Sequence, residues 1–169
     1  MSVEGEAFRA RIAGLKALVL DVDGVLTDGA RWLGVGGGED KRFHVHDGLG
    51  VQRARAAGLR VGWVSGRRCE AVERRARELG VAEVRQEVAS KASGFEELCG
   101  VWGVRTSEAA YMGDDVTDLP ALRAAGLALA PADASADVRA CAHHVTPRAG
   151  GHGAVRDAVE WLLRHRGIA

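Results

Sequence analysis

Leu18-Val19-Leu20-Asp21-Val22-Asp23-Gly24-Val25-Leu26-Thr27 carries more information than any other segment of the chain. Two carboxylates stand two residues apart where an apolar run, Ala17 to Val22, gives way to glycine and threonine. Such a run reads as a buried parallel strand, and open α/β sheets collect ligands at the carboxyl ends of their strands. Aspartates there cost free energy unless a cation or hydrogen-bond donors meet them. Asp and Gly are also ordinary turn formers, so this segment alone leaves a solvated turn open.

Working outward, Tyr111-Met112-Gly113-Asp114-Asp115-Val116-Thr117-Asp118 repeats the pattern of an apolar approach ending in acids. Between the two lie Val61-Gly62-Trp63-Val64-Ser65-Gly66-Arg67, a strand ending in a hydroxyl, and Lys91 after Val88-Ala89-Ser90. One divalent cation together with one phosphate would employ all of these groups. Mg²⁺ takes hard oxygen ligands and keeps positions for a substrate phosphate. A hydroxyl and an ammonium bond the remaining phosphoryl oxygens. Lysine is scarce: of 23 basic residues only Lys16, Lys41 and Lys91 are lysines, so Lys91 beside the other candidates invites a specific reason. A compact ammonium on a flexible stem reaches a phosphoryl oxygen more readily than a planar guanidinium.

The length of 169 residues fits one domain over 1–169 with a single core. Zero net charge argues against nucleic acid or an anionic membrane as partner. The start, Met1-Ser2-Val3-Glu4-Gly5-Glu6, is acidic where a signal peptide would be basic, and no apolar run reaches membrane-spanning length. Cys69, Cys99 and Cys141 are odd in number and far apart, which fits a reducing cytoplasm and small core residues.

Apolar runs alternate with amphipathic segments. Strands are expected near 17–22, 60–64, 82–85, 109–112, 127–129 and 143–145. Helices are expected near 4–13, 48–57, 67–79, 90–102, 116–125, 134–141 and 153–165. This alternation implies right-handed crossovers and an α/β fold with a doubly wound parallel sheet. The stretch from Ala30 to Val45 breaks it and reads as an inserted β-hairpin with a glycine-rich turn. His44, His46 and Asp47 have the look of a metal triad on a strand, yet their spacing fixes no geometry, and a metal site is not expected there. Trp32 and Phe43 on a two-stranded ribbon imply packing against another subunit.

With these residues in view, the chain resembles the haloacid dehalogenase-like phosphatases. The resemblance rests on Asp21-Val22-Asp23-Gly24-Val25-Leu26-Thr27, Ser65-Gly66-Arg67, Lys91, and Gly113-Asp114-Asp115 with Asp118. It is closest to the small capless branch acting on 3-deoxy-D-manno-octulosonate 8-phosphate, and extends over nearly the whole chain, including Phe43 to Gly50, Ala71 to Ala76 and Pro147 to Val155. It implies a Rossmann-like, haloacid dehalogenase-like fold with no cap domain and a Mg²⁺-dependent phosphomonoesterase for a small sugar-acid phosphate. The substrate would be the octulosonate or a related nonulosonate 9-phosphate, as in lipopolysaccharide biosynthesis.

By that resemblance Asp21 attacks phosphorus and becomes an aspartyl phosphate, while Asp23 protonates the leaving oxygen and then activates water. Alternate residues on a strand share a side, which suits the pair. Mg²⁺ is held by the Asp21 side chain, the Asp23 backbone carbonyl and Asp114, with Asp115 and Asp118 behind them. Ser65 and Lys91 hold the transferring phosphoryl group. Substrate contacts fall to His44, His46, Asp47, Gly48, Gln52, Arg67, Arg75 and Lys91. His46 and Gln52 stand where this branch carries arginines, and planar bidentate recognition does not pass to imidazole or amide. The resemblance also implies a homotetramer, hairpins at its centre and glycine-rich tails covering neighbouring sites. A catalytically silent relative that assembles with or regulates a nucleotide-sugar (acylneuraminate cytidylyl) synthetase is the alternative, disfavoured because every acid is present. A phosphoacceptor receiver domain ranks last, having no use for Asp23 or the hairpin.

Overall fold

A computed structural model describes residues 3–34 and 38–168, with the side chains of Val3 and Glu4 left aside. The segment opens with helix α1 (Val3–Ala13) and strand β1 (Ala17–Asp21), followed by a wide turn over Val22–Leu26. Two short strands come next, β2 (Trp32–Leu33) and β3 (Glu39–Asp40), then α2 (Val45–Ala56), β4 (Arg60–Val64), α3 (Glu70–Glu78) and β5 (Glu83–Arg85). The second half contains α4 (Lys91–Trp102), β6 (Ala109–Met112), α5 (Leu119–Ala124), β7 (Leu127–Ala130), α6 (Ala136–Cys141), β8 (His144–Val145) and α7 (Ala154–His165).

Six strands form one parallel sheet in the order β5-β4-β1-β6-β7-β8. The chain winds from β1 through β4 to β5, then returns to start β6 on the other flank of β1. Asp21 thus ends the strand at which the winding reverses, the place where such sheets bind ligands. Alternation along β1 divides the core: Leu18 and Leu20 join the layer of α2 and α7, whereas Ala17 and Val19 join that of α4 and α5. Both faces of β1 are covered, and all five of its residues are buried. Among the described residues no cap domain stands over the strand ends.

The expected sheet strands all form, within one residue at either end. The expected helix over 116–125 divides into a single 3₁₀ turn, Val116–Asp118, and α5, because Pro120 lacks an amide hydrogen and is tolerated only in a first helical turn. The hairpin is shorter than expected: among the described residues Trp32 pairs with Asp40 and Leu33 with Glu39, and the Gly34 amide donates to the Gly38 carbonyl at 2.9 Å. Its turn residues 35–37 lie outside the described residues. Val45 begins α2 rather than ending a strand, because His44 caps that helix through Nδ1, which accepts from the His46 amide at 3.2 Å. The pairing of His44 and His46 on one strand face is therefore corrected.

Candidate active site

Three strand ends, those of β1, β4 and β6, and the start of α4 converge at the carboxyl edge of the sheet. Register brings Asp21 opposite Val64 and Leu20 opposite Met112, so Ser65 and Gly113 flank the Asp21 carboxyl end. A cleft of about 740 Å³ opens there, lined by Asp21, Asp23, Arg31, Arg67, Lys91 and Asp114 among others.

Asp21 is 3 % exposed and accepts from the Val22 amide at 2.7 Å and from the Lys91 ammonium. Lys91 is the first residue of α4, whose preceding Ser90 caps the helix by accepting from the Ser93 amide. The ammonium also lies 3.6 Å from Asp118 Oδ1. Oxygens of Asp21, Asp114 and Asp118 all fall within 4.8 Å of one another. Burial, then the neighbouring Asp118 charge, pushes Asp21 well above the usual carboxylate range, with Lys91 pulling the other way. The same two causes raise Asp114 to about 7. One ammonium against three clustered carboxylates leaves negative charge that a bound divalent cation would relieve, so the donor set fits Mg²⁺.

Asp118 is buried and fully engaged. Its Oδ1 accepts from the Tyr111 hydroxyl at 2.7 Å, and its Oδ2 accepts from the amides of Asp114 and Asp115 at 3.2 and 3.3 Å. It therefore fastens the loop that presents Asp114 rather than reaching outward. Asp115 is exposed and caps the 3₁₀ turn by accepting from the Val116 amide at 2.7 Å.

Asp23 lies beyond the strand, inside the wide turn, with φ −78° and ψ 117°. It reaches the cleft by turn geometry, so the strand alternation expected to align it with Asp21 is corrected. Its Oδ1 accepts from the Lys41 ammonium, and Lys41 also donates to Glu39 at 2.8 Å. The Lys41 side chain is 1 % exposed. Burial pulls its ammonium down, but the bonds to Asp23 and Glu39 outweigh that and leave it above its ordinary value. Glu39 is held at about 2 by Lys41 and by Arg31 on its other oxygen. Residue assignment from sequence missed Lys41, although its rarity in an arginine-rich chain was the same signal that drew attention to Lys91.

The remaining expected residues separate into two groups. Ser65 is buried at the β4 end, its Oγ accepting from the Arg67 amide at 3.1 Å, and Arg67 reaches the cleft rim. His44, His46, Asp47, Gly48, Gln52 and Arg75 do not line this cleft. His46 and Gln52 are exposed along α2, while Arg75 on α3 pairs with Glu78 and packs over Gly48. Asp47 is 1 % exposed, and its two oxygens accept from the Gly153 and Arg156 amides at 3.1 and 3.0 Å, capping α7. A substrate contact through Asp47 is thus replaced by a bracing one. The glycine-rich tail is likewise used within the chain: the Gly151 amide donates to Val25 O at 3.0 Å, and a side chain at Gly150 would collide with the Gly24 carbonyl.

Known proteins resemble this chain over most of its length. The haloacid dehalogenase-like hydrolase family model matches residues 79–158. The 3-deoxy-D-manno-octulosonate 8-phosphate phosphatase of Escherichia coli K12 is 37 % identical over 94 % of this chain and 84 % of its own. That of Salmonella typhi is 38 % identical over 90 % and 81 %. Among solved structures, the Moraxella catarrhalis enzyme in complex with magnesium, phosphate and the KDO molecule superposes with a TM-score of 0.91 at 34 % identity, covering 96 % of this chain and 93 % of that one. The cobalt-bound Haemophilus influenzae enzyme gives 0.90 at 36 %, covering 93 % and 92 %. The chain belongs to the 3-deoxy-D-manno-octulosonate 8-phosphate phosphatase family of haloacid dehalogenase-like hydrolases.

Proposed function

We propose that this chain, one domain over 1–169, is a Mg²⁺-dependent phosphomonoesterase hydrolysing 3-deoxy-D-manno-octulosonate 8-phosphate. The observation that carries the reading is the convergence of Asp21, Lys91 and Asp114 in one cleft at the sheet's switch point. Asp21 attacks phosphorus, the ester P–O bond breaks, and the leaving oxygen takes a proton from Asp23. Water then attacks the aspartyl phosphate, gives a proton to Asp23, and phosphate departs as the acyl phosphate P–O bond breaks. Lys91 offers its ammonium to the phosphoryl oxygens and Ser65 its hydroxyl proton, while the Ser65 oxygen accepts from the Arg67 amide. The Asp21 and Asp114 carboxylates and the Asp23 carbonyl would hold Mg²⁺, with Asp115 and Asp118 supporting them. The cation supplies charge neutralisation and alignment for the phosphoryl group. The silent-relative alternative has no supporting observation, since each acid the chemistry needs is present in the cleft.

A homotetramer in the cytoplasm completes the reading. Its support is an apolar surface: Trp32 and Leu33 are 64 % and 68 % exposed, and Val45 and Leu49 stand at i, i+4 spacing on the outside of α2. No helix among the described residues is long and apolar enough to cross a membrane. Phosphate release from octulosonate 8-phosphate, measured with Mg²⁺ and in excess chelator, tests the activity. Turnover that survives the chelator, or no turnover with Mg²⁺, rejects it.

A further inference from the structure

Asp23 has its Oδ1 taken by Lys41, while Oδ2 has no hydrogen-bond partner among the described residues and the residue lines the cleft. Lys41 is itself held from behind, by Glu39, whose other oxygen is bonded by Arg31 at 3.0 Å. The short hairpin that carries this relay is anchored to the body. The Cys69 thiol donates to the Glu39 carbonyl at 3.3 Å, and the Phe43 ring stacks on Trp63 with centroids 6.5 Å apart. The Lys41 side chain, just past β3, is 1 % exposed between two carboxylates, and burying a charge there is costly unless the pairing is specific.

We propose that Lys41 is a positioning residue for proton transfer: its ammonium occupies Asp23 Oδ1, so that the proton moves to and from the substrate through Oδ2. The inference rests on the reading of Asp23 as general acid and base. A carboxylate on a turn would otherwise rotate between two equivalent oxygens, and proton transfer falls steeply when the donor is misplaced. The hairpin thus has a task inside its own chain, separate from any contact between subunits. In the first half-reaction the proton leaves Asp23 Oδ2 for the ester oxygen as the P–O bond breaks. The carboxylate so formed keeps its bond from Lys41.

The test compares an alkyl ester, octulosonate 8-phosphate, with p-nitrophenyl phosphate, whose leaving group departs without a proton. Rapid-quench release of the leaving group is measured with the full chain in Mg²⁺ for the parent, Lys41→Met, Glu39→Gln, Asp23→Asn and the Lys41→Met/Asp23→Asn pair. Lys41→Met is expected to slow alkyl release at least tenfold and p-nitrophenolate release less than threefold. Glu39→Gln should show the same selectivity more weakly, and the double variant should be no slower than Asp23→Asn alone. Equal slowing of both esters by Lys41→Met, or additive losses in the double variant, overturns the proposal while leaving Asp23 intact. Should Asp23→Asn itself slow both esters equally, the acid–base reading fails and Lys41 falls with it. If Lys41→Met shows no cooperative melting transition, Glu39→Gln decides by the same selectivity.

Discussion

Gly24 and Asp114, ninety residues apart in sequence, touch so closely that a Cβ at position 24 would collide with the Asp114 carboxylate. Gly24 also adopts φ +87°, a left-handed conformation that costs an L-residue about 1–2 kcal/mol. The turn bearing Asp23 and the loop bearing Asp114 are therefore fitted to one another through a single missing methyl group. Gly24→Ala is expected to lower the melting temperature and to weaken Mg²⁺ affinity at least tenfold, because Asp114 must move. Calorimetry and metal titration check this; unchanged values in both reject the coupling.

Asp21→Asn should abolish turnover, since an amide neither attacks phosphorus nor binds the cation as an anion. The variant should remain folded, because the charge removed is one whose burial disfavours ionisation. Residual activity near that of the parent would assign the nucleophile elsewhere.

Asp23→Asn should keep most of its Mg²⁺ affinity, the proposed ligand there being a backbone carbonyl. Its turnover of an alkyl phosphate should fall by roughly 10²–10⁴-fold, the usual worth of a positioned acid and base. Parallel loss of metal binding and rate would mean the side chain itself is a ligand.

Removing the cation should make stability sensitive to pH in a definite direction. Asp114 rises from 3.8 to about 7 in the folded chain, so the fold retains that proton more tightly than the unfolded chain does. The contribution is complete below 3.8 and is lost as pH rises through about 7. In chelator the melting temperature should decline across that window, and Mg²⁺ should restore more of it at pH 8 than at pH 5. A cation effect independent of pH would show that the carboxylate cluster is not where Mg²⁺ binds.

If the proposed homotetramer forms through this hairpin, Trp32→Glu together with Leu33→Glu should give a monomer at micromolar concentration, as read by light scattering. Both side chains are largely exposed in the single chain, so its core loses nothing and its melting should change little. A parent protein that is already monomeric removes the tetramer from the account.

Local pattern determined the sheet and the acids. Apolar runs of strand length ending in Asp21, Ser65 and Asp114 state their own burial and their own termini, because side-chain alternation is a property of neighbours in sequence. Lys91 was legible by its rarity, yet Lys16 and Lys41 are equally rare, and the three have different fates. Lys16 lies on the surface with Glu108 at 2.8 Å, Lys91 rests on Asp21, and Lys41 is sealed against Asp23. Nothing within a few residues of 41 separates these outcomes. They depend on how a two-residue ribbon folds over a turn, and that turn's path is set by long-range packing against Asp114 and Gly150. Asp47 shows the same division. The family resemblance assigns Asp47 to substrate, but the docking of α2 on α7 brings it beneath the amides of Gly153 and Arg156, which no local pattern states. Which polar group meets which is decided by tertiary structure, because a buried carboxylate takes whichever donors the packing delivers.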